Sequence, residues 1–185
     1  AHSPMRRIRE LVNAVQLAYP QDHFFDRFAE SCREDPAKRE AYRTYDDALR
    51  WLDPDSWEIL KSKAVAHFRN HREGQLKQGF FNQLNESFAY RHLVRQGYRG
   101  VRILPEHGRR VPDIEYLEGR WRRHCEVKTI GISQEEIARR ASGKAFSNVY
   151  VRLGDRFFSK LRNTIAAARS QIQAQGTTGL VYVVV

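Results

Sequence analysis

Two alternating runs separated by a turn constrain this chain more than any other feature. Val111–Leu117 and Trp121–Ile130 alternate polar with apolar positions and are rich in β-branched and aromatic residues, as strands are. Glu118, Gly119 and Arg120 between them are a turn signal. The pattern predicts a β-hairpin. Successive side chains on a strand point to opposite faces. A two-residue loop at Glu118-Gly119 sets Asp113 opposite His124 and diagonal to Glu126. A loop at Gly119-Arg120 sets Asp113 directly opposite Glu126, with Cβ atoms about 5 Å apart. Either register gathers Asp113, Glu126 and Lys128 on one face. A three-residue loop without a bulge would turn Glu126 to the other face.

Those three side chains form a chemical set. Mg²⁺ prefers oxygen ligands, takes one or two carboxylates, and fills its other positions with water and substrate phosphate. Asp113 and Glu126 supply two carboxylates that repel each other when packed together, and a divalent ion relieves the repulsion. A bound ion acidifies its water and stabilises charge on a phosphate. Lys128 beside it can orient the attacking water or stabilise developing negative charge. The bland alternative is a surface hairpin with a Glu and a Lys on its solvated face. By average residue usage the joint pattern arises by chance in about 1% of such chains. Lysine is also scarce, at seven residues against 25 arginines, and Glu126-Val127-Lys128 is the only acidic-x-Lys triplet. Pro54-Asp55 repeats the first half of the motif, but no such triplet follows it at the right distance.

Pro112-Asp113 and Glu126-Val127-Lys128 resemble the motif of the PD-(D/E)XK nuclease superfamily, whose restriction-endonuclease-like core runs helix, three-strand meander, helix, strand. Residues 76–185 can be read in that order. Leu76–Gln96 reads as one helix, with Phe80, Leu84 and Phe88 four residues apart and Gly97 as its stop. Val101–Leu104 reads as a short strand, and the hairpin supplies the next two. Phe157–Gln175 reads as a helix with Phe158, Leu161, Ile165, Ala168 and Ile172 on one stripe, closed by Gly176. Leu180–Val185 is a continuous apolar run, the mark of a strand buried on both faces. The expected fold is a three-layer α/β/α restriction-endonuclease-like core over residues 76–185 behind a helical extension over residues 1–75.

The resemblance implies roles residue by residue. Asp113 and Glu126 correspond to the metal ligands, Lys128 to the catalytic lysine, and the Val127 carbonyl to a further oxygen of the metal shell. Many members carry another carboxylate on the first core helix, and Glu86 stands there. Its neighbours three and four residues away include no cation, and a solvated surface Glu is the competing reading. Glu115 shares the strand face of Asp113 and is a further ligand candidate, against a strand-end surface role. Gln171 and Lys160 occupy the later helix, where members often place a polar active-site residue.

Charge points the same way. The net charge is +10, and its distribution is uneven. Residues 1–75 carry 13 basic and 13 acidic side chains, whereas residues 76–185 carry 19 and 9. The whole excess lies on the half with the motif, and phosphate contacts dominate affinity for nucleic acids. Arg109 and Arg110 before the Asp strand, and Arg120, Arg122 and Arg123 around the turn, are placed to flank a backbone through their planar forks.

The remaining sequence sets bounds. Ile8, Leu11, Val12 and Val15 form an early helical stripe, a second helix is expected over Asp22–Arg33, a third from Pro36 through Leu52, and a fourth carries Trp57, Leu60, Val65 and Phe68. A short helix at 133–140 lies in an insert, residues 131–155, that follows the catalytic strand and is expected to border the cleft. Cys32 and Cys125 make neither a metal pattern nor a disulfide framework. His67 and His71, four apart, read as surface residues rather than a zinc pair. No apolar stretch of about 18 residues exists and no signal peptide is evident, so a cytoplasmic protein without membrane contact is expected. Met5 is the sole methionine, so residues 1–4 read as a remnant ahead of a native start, and the apolar end leaves room for continuation past Val185.

The function expected is divalent-metal-dependent phosphodiester hydrolysis, foremost of DNA, with Mg²⁺ as cofactor and Mn²⁺ able to substitute. The competing readings are an RNA nuclease, a non-cleaving nucleic-acid-binding module, and a structural subunit of a larger complex. A homodimer or a partner subunit is compatible with all of them.

Overall fold

The computed structural model describes residues 5–70, 77–106, 111–130 and 155–184, with the side chains of residues 155 and 156 excepted. The fold is mixed α/β, with a four-stranded mixed sheet. Helix α1, Arg6–Ala18, buries Ile8, Leu11, Val12 and Val15 as their spacing predicts. Helix α2, Phe28–Glu34, starts later than the expected Asp22. The Asp22 carboxylate instead accepts the Phe24 amide, and tight turns follow at His23–Asp26 and Phe25–Phe28. These turns direct Phe24 and Phe25 onto Phe68. Helices α3, Pro36–Leu49, and α4, Pro54–Ala66, both begin with Pro and are capped by Asp35 and Asp53. Pro suits the first helical position because its missing N–H would be unpaired there anyway.

The helix expected over Leu76–Gln96 is two helices, α5, Gln78–Leu84, and α6, Glu86–Arg95. The break is at Asn85, whose side chain is drawn into tertiary bonds. Its amide donates to Thr129 at 2.8 Å, and its oxygen accepts from the Tyr45 hydroxyl at 3.1 Å. The Phe88 amide closes a tighter three-residue turn on the Asn85 carbonyl.

Strands β1, Arg99–Ile103, β2, Ile114–Glu118, and β3, Trp121–Thr129, form an antiparallel meander. Helix α7, Asp155–Gln173, precedes β4, Gly179–Val184, which pairs parallel to β3. The Glu118↔Trp121 pair leaves Gly119-Arg120 as a two-residue loop, with Gly119 at a φ of 61°. Glycine at the first loop position of such a hairpin supplies the positive φ without steric cost. Continuing the register one step past Ile114↔Cys125 sets Asp113 opposite Glu126. At the other junction a Cβ on Gly179 would lie 1.7 Å from the His124 carbonyl oxygen, so only glycine lets β4 dock there.

The two sheet faces meet different helices. Ile114, Tyr116 and Cys125 belong to one hydrophobic cluster with Trp57, Leu60, Ala64, Ala89, Tyr90 and Leu93, and Val127 and Tyr182 pack against it. Ala168 and Ile172 of α7 are buried outside that cluster, and α7 lies against β3 and β4. The cluster runs from Ile8 to Cys125, so it crosses the expected 75/76 boundary.

Two burial expectations differ. The α7 stripe is buried only at Ala168 and Ile172, while Phe158 and Ile165 are exposed. The N-terminal half of α7 has no described layer over it. Strand β4 is half-buried to exposed rather than enclosed on both faces, because it is the edge of the described sheet. No described helix is long and apolar enough to cross a membrane.

Candidate active site

Asp113 sits in the bend that opens β2, and β3 carries Glu126, Val127 and Lys128. The Val127 amide donates to Asp113 Oδ2 at 2.7 Å. Because the loop is two residues long, this bond lies where the hairpin register demands. Glu126 is 2% exposed, and Lys128 Nζ donates to its Oε1 at 2.6 Å. The other oxygen, Oε2, is buried with no hydrogen-bond partner among the described residues. A buried carboxylate oxygen without a partner is costly. Burial pushes the Glu126 carboxyl up to about 7, the Asp113 charge adds to this, and Lys128 opposes it. Asp113 is also raised by burial, against the pull of Lys63, the Val127 amide and Lys128.

Glu86 is neither solvated nor without a cation. It opens α6, is buried, and receives Lys63 Nζ on both oxygens, at 2.6 and 2.8 Å. The sequence reading found no cation for it within its own helix; the partner comes from α4, 23 residues earlier. Lys63 also lies 3.9 Å from Asp113 Oδ1. Both members of the pair have raised pKa values. Burial would strip Lys63 of charge, but Glu86 and then Asp113 outweigh it and raise its pKa. Burial drives Glu86 up to about 8 against the pull of Lys63. The carboxylates of Glu86, Asp113 and Glu106 all favour the charged form of Lys63.

Lys63 escaped the sequence reading. It stands among Trp57, Leu60 and Ala64, on the buried side of α4. A lysine inside an apolar stripe was the available signal, since lysines are almost never fully buried unless paired. His67 follows one turn later and bonds Glu106 at 2.9 Å, and His71 lies outside the described residues.

Other candidates are dispersed. Glu115 is on the expected face but is engaged by Arg102 at 2.6 Å, and by Arg122 and His124 at 3.5 Å. Gln171 donates to the Val111 carbonyl at 2.9 Å, bracing the segment that leads into Asp113. Lys160 is exposed on α7. Arg120 stacks over Trp121 at 4.9 Å, Arg122 is largely exposed, and Arg123 is held by Glu118 and Thr178. Arg109, Arg110 and the insert 131–154 lie outside the described residues.

Among the described residues no three His, Cys, Asp or Glu side chains gather as a metal-holding group. Two carboxylates are enough for Mg²⁺, which keeps several waters. The buried, partnerless Glu126 Oε2 and the upward shifts of Glu126 and Asp113 fit a divalent ion. Comparison of the chain with protein-family models, with curated proteins and with solved structures finds no match.

Proposed function

We propose that this chain is a divalent-metal-dependent nuclease with a restriction-endonuclease-like core, and that DNA is its foremost substrate. The observation that carries the reading is Glu126 Oε2, buried without a partner among the described residues, on a strand paired to the one Asp113 opens. The order of α6, the β1–β3 meander, α7 and parallel β4 supports the fold reading, with helices against both faces as an α/β/α core has.

Asp113 and Glu126 would hold Mg²⁺ or Mn²⁺, with the Val127 carbonyl as a further oxygen. A bound ion supplies an acidified water and charge neutralisation at the phosphate. The protein's own part is positioning. The Val127 amide fixes Asp113, and Lys128, held by Glu126 yet 30% exposed, offers its ammonium to a phosphate or to the attacking water. The basic excess of residues 76–185 attracts the polyanion, and exposed Arg120 and Arg122 suit backbone contacts.

The test is cleavage by purified protein, with Mg²⁺ or Mn²⁺ against a chelator control, of supercoiled, linear and single-stranded DNA and of structured RNA. Metal-dependent cutting of DNA supports the reading. Cutting of RNA alone reassigns the substrate. Salt-sensitive binding without any cutting selects the binding module.

A further inference from the structure

Among the described residues, Lys63–Glu86 is the one fully buried ion pair that touches the proposed site, and it comes from outside the motif. Buried ion pairs are poor stabilising devices, because desolvation offsets most of the attraction. This pair has a geometric consequence instead. Asp113 is met on both oxygens: the Val127 amide donates to Oδ2 at 2.7 Å, and the Lys63 ammonium lies 3.9 Å from Oδ1, at ion-pair rather than hydrogen-bond distance. Both oxygens of Glu86 are taken by the same ammonium. An ion drawn to Glu86 would meet the Lys63 charge seated across both of its oxygens at 2.6 and 2.8 Å, closer than that ammonium lies to Asp113.

We infer that Lys63 is a positioning residue that orients Asp113 for a divalent ion, and that Glu86 is the counter-charge of Lys63 rather than a metal ligand. The inference deepens the nuclease reading and rests on it for the identity of the ion. It also makes α4 part of the site. Outer partners of metal ligands fix ligand orientation, and their loss weakens metal affinity by about 10- to 100-fold.

The experiment measures Mn²⁺ affinity by calorimetry for the whole chain and two pair replacements. K63M/E86L removes the pair in favour of apolar groups, and K63Q/E86Q keeps hydrogen-bonding capacity should the first not fold. Circular dichroism and cooperative melting establish folding. The control is L60A, which loosens the same helix without touching the site. Both pair variants should bind Mn²⁺ about tenfold or more weakly, with excess Mn²⁺ restoring cleavage, while L60A stays within about threefold of wild type. Wild-type affinity in a folded pair variant, or an equal loss in L60A, overturns the inference.

A second arm needs no metal. The effect of D113N on the unfolding constant should differ at least about threefold between the wild-type and K63Q/E86Q backgrounds, since contacting residues are non-additive. Additivity overturns the inference. Absence of Mn²⁺ binding by the wild type overturns the nuclease reading, and this cycle then decides the Lys63 contact separately.

Discussion

Asp113 Oδ2 accepts the Val127 amide at 2.7 Å, so the carboxylate that opens β2 is tied to the backbone between Glu126 and Lys128. The bond joins residues 14 apart and locks the register of the charged set. It also decides which substitutions are informative. Asp113→Asn keeps an acceptor for Val127 while removing charge, and Glu126→Gln and Lys128→Met remove charge at their own positions. Each is expected to lower metal-dependent cleavage by at least about 100-fold, the cost of losing a preorganised charge at a reacting centre. Melting curves should remain cooperative. Wild-type rates in any two of the three would sink the assignment.

Glu126 gives the metal-free protein a pH signature. Its carboxyl is pushed from 4.5 up to about 7 by burial, then by Asp113, against Lys128. A folded-state pKa above the unfolded one stabilises fully below the unfolded value and is lost as pH rises through the folded one. Metal-free protein should therefore lose stability between about pH 4.5 and about 7. Glu86 shifts in the same direction, so the Glu126 share is the difference from Glu126→Gln. Mn²⁺ should restore stability at the upper end of that window, because it favours the ionised carboxylate. Thermal melts with chelator or Mn²⁺ check this. A chelated wild type that tracks Glu126→Gln at every pH counts against the shift.

Removing residues 1–76 should leave no folded remainder. Phe80, Leu84, Tyr90 and Leu93 share their cluster with Phe25, Trp57, Leu60 and Phe68, so truncation would open that cluster to water. A fragment of residues 77–185 is expected to show no cooperative unfolding by circular dichroism. Within the full chain, Leu60→Ala should cost about 2–5 kcal/mol in denaturant unfolding, as buried leucines do.

Asp53 anchors α4 and through it Lys63. Its side chain accepts the Asp55 and Ser56 amides at 3.0 Å and the Tyr90 hydroxyl at 2.8 Å. Burial opposes its ionisation, but bonds from Ser56, Tyr90 and Asp55 outweigh it and lower its pKa below 3.8. That stabilisation is present above about 3.8 and lost as pH falls through the lowered value. Asp53→Ala should cost about 0.5–2 kcal/mol near neutrality, the range for lost N-caps. Urea unfolding at acid pH should show the gap to wild type narrowing.

Nucleic-acid binding should fall steeply with salt, because each neutralised phosphate releases counterions. Arg120→Ala with Arg122→Ala should weaken binding on every sequence alike and reduce the log–log salt slope by up to about 2. An unchanged slope would place the polyanion elsewhere on the surface.

The sequence determined what local patterns can determine. Alternation and Gly119 set the hairpin, the α1 stripe set its buried face, and spacing along β2 and β3 gathered Asp113, Glu126 and Lys128. Tertiary structure decided what depends on partners far along the chain. The long helix breaks at Asn85, whose side chain bonds Tyr45 and Thr129, partners 40 and 44 residues away that helical periodicity does not carry. Periodicity likewise made one stripe along α7, but burial needs a covering layer, which the described fold supplies only at Ala168 and Ile172. Glu86 was legible as a carboxylate near the site, yet its state was not. Burial and Lys63 from α4 set that state, because an ionisable group's charge depends on the solvent it loses and the charges it meets, whatever their separation in sequence.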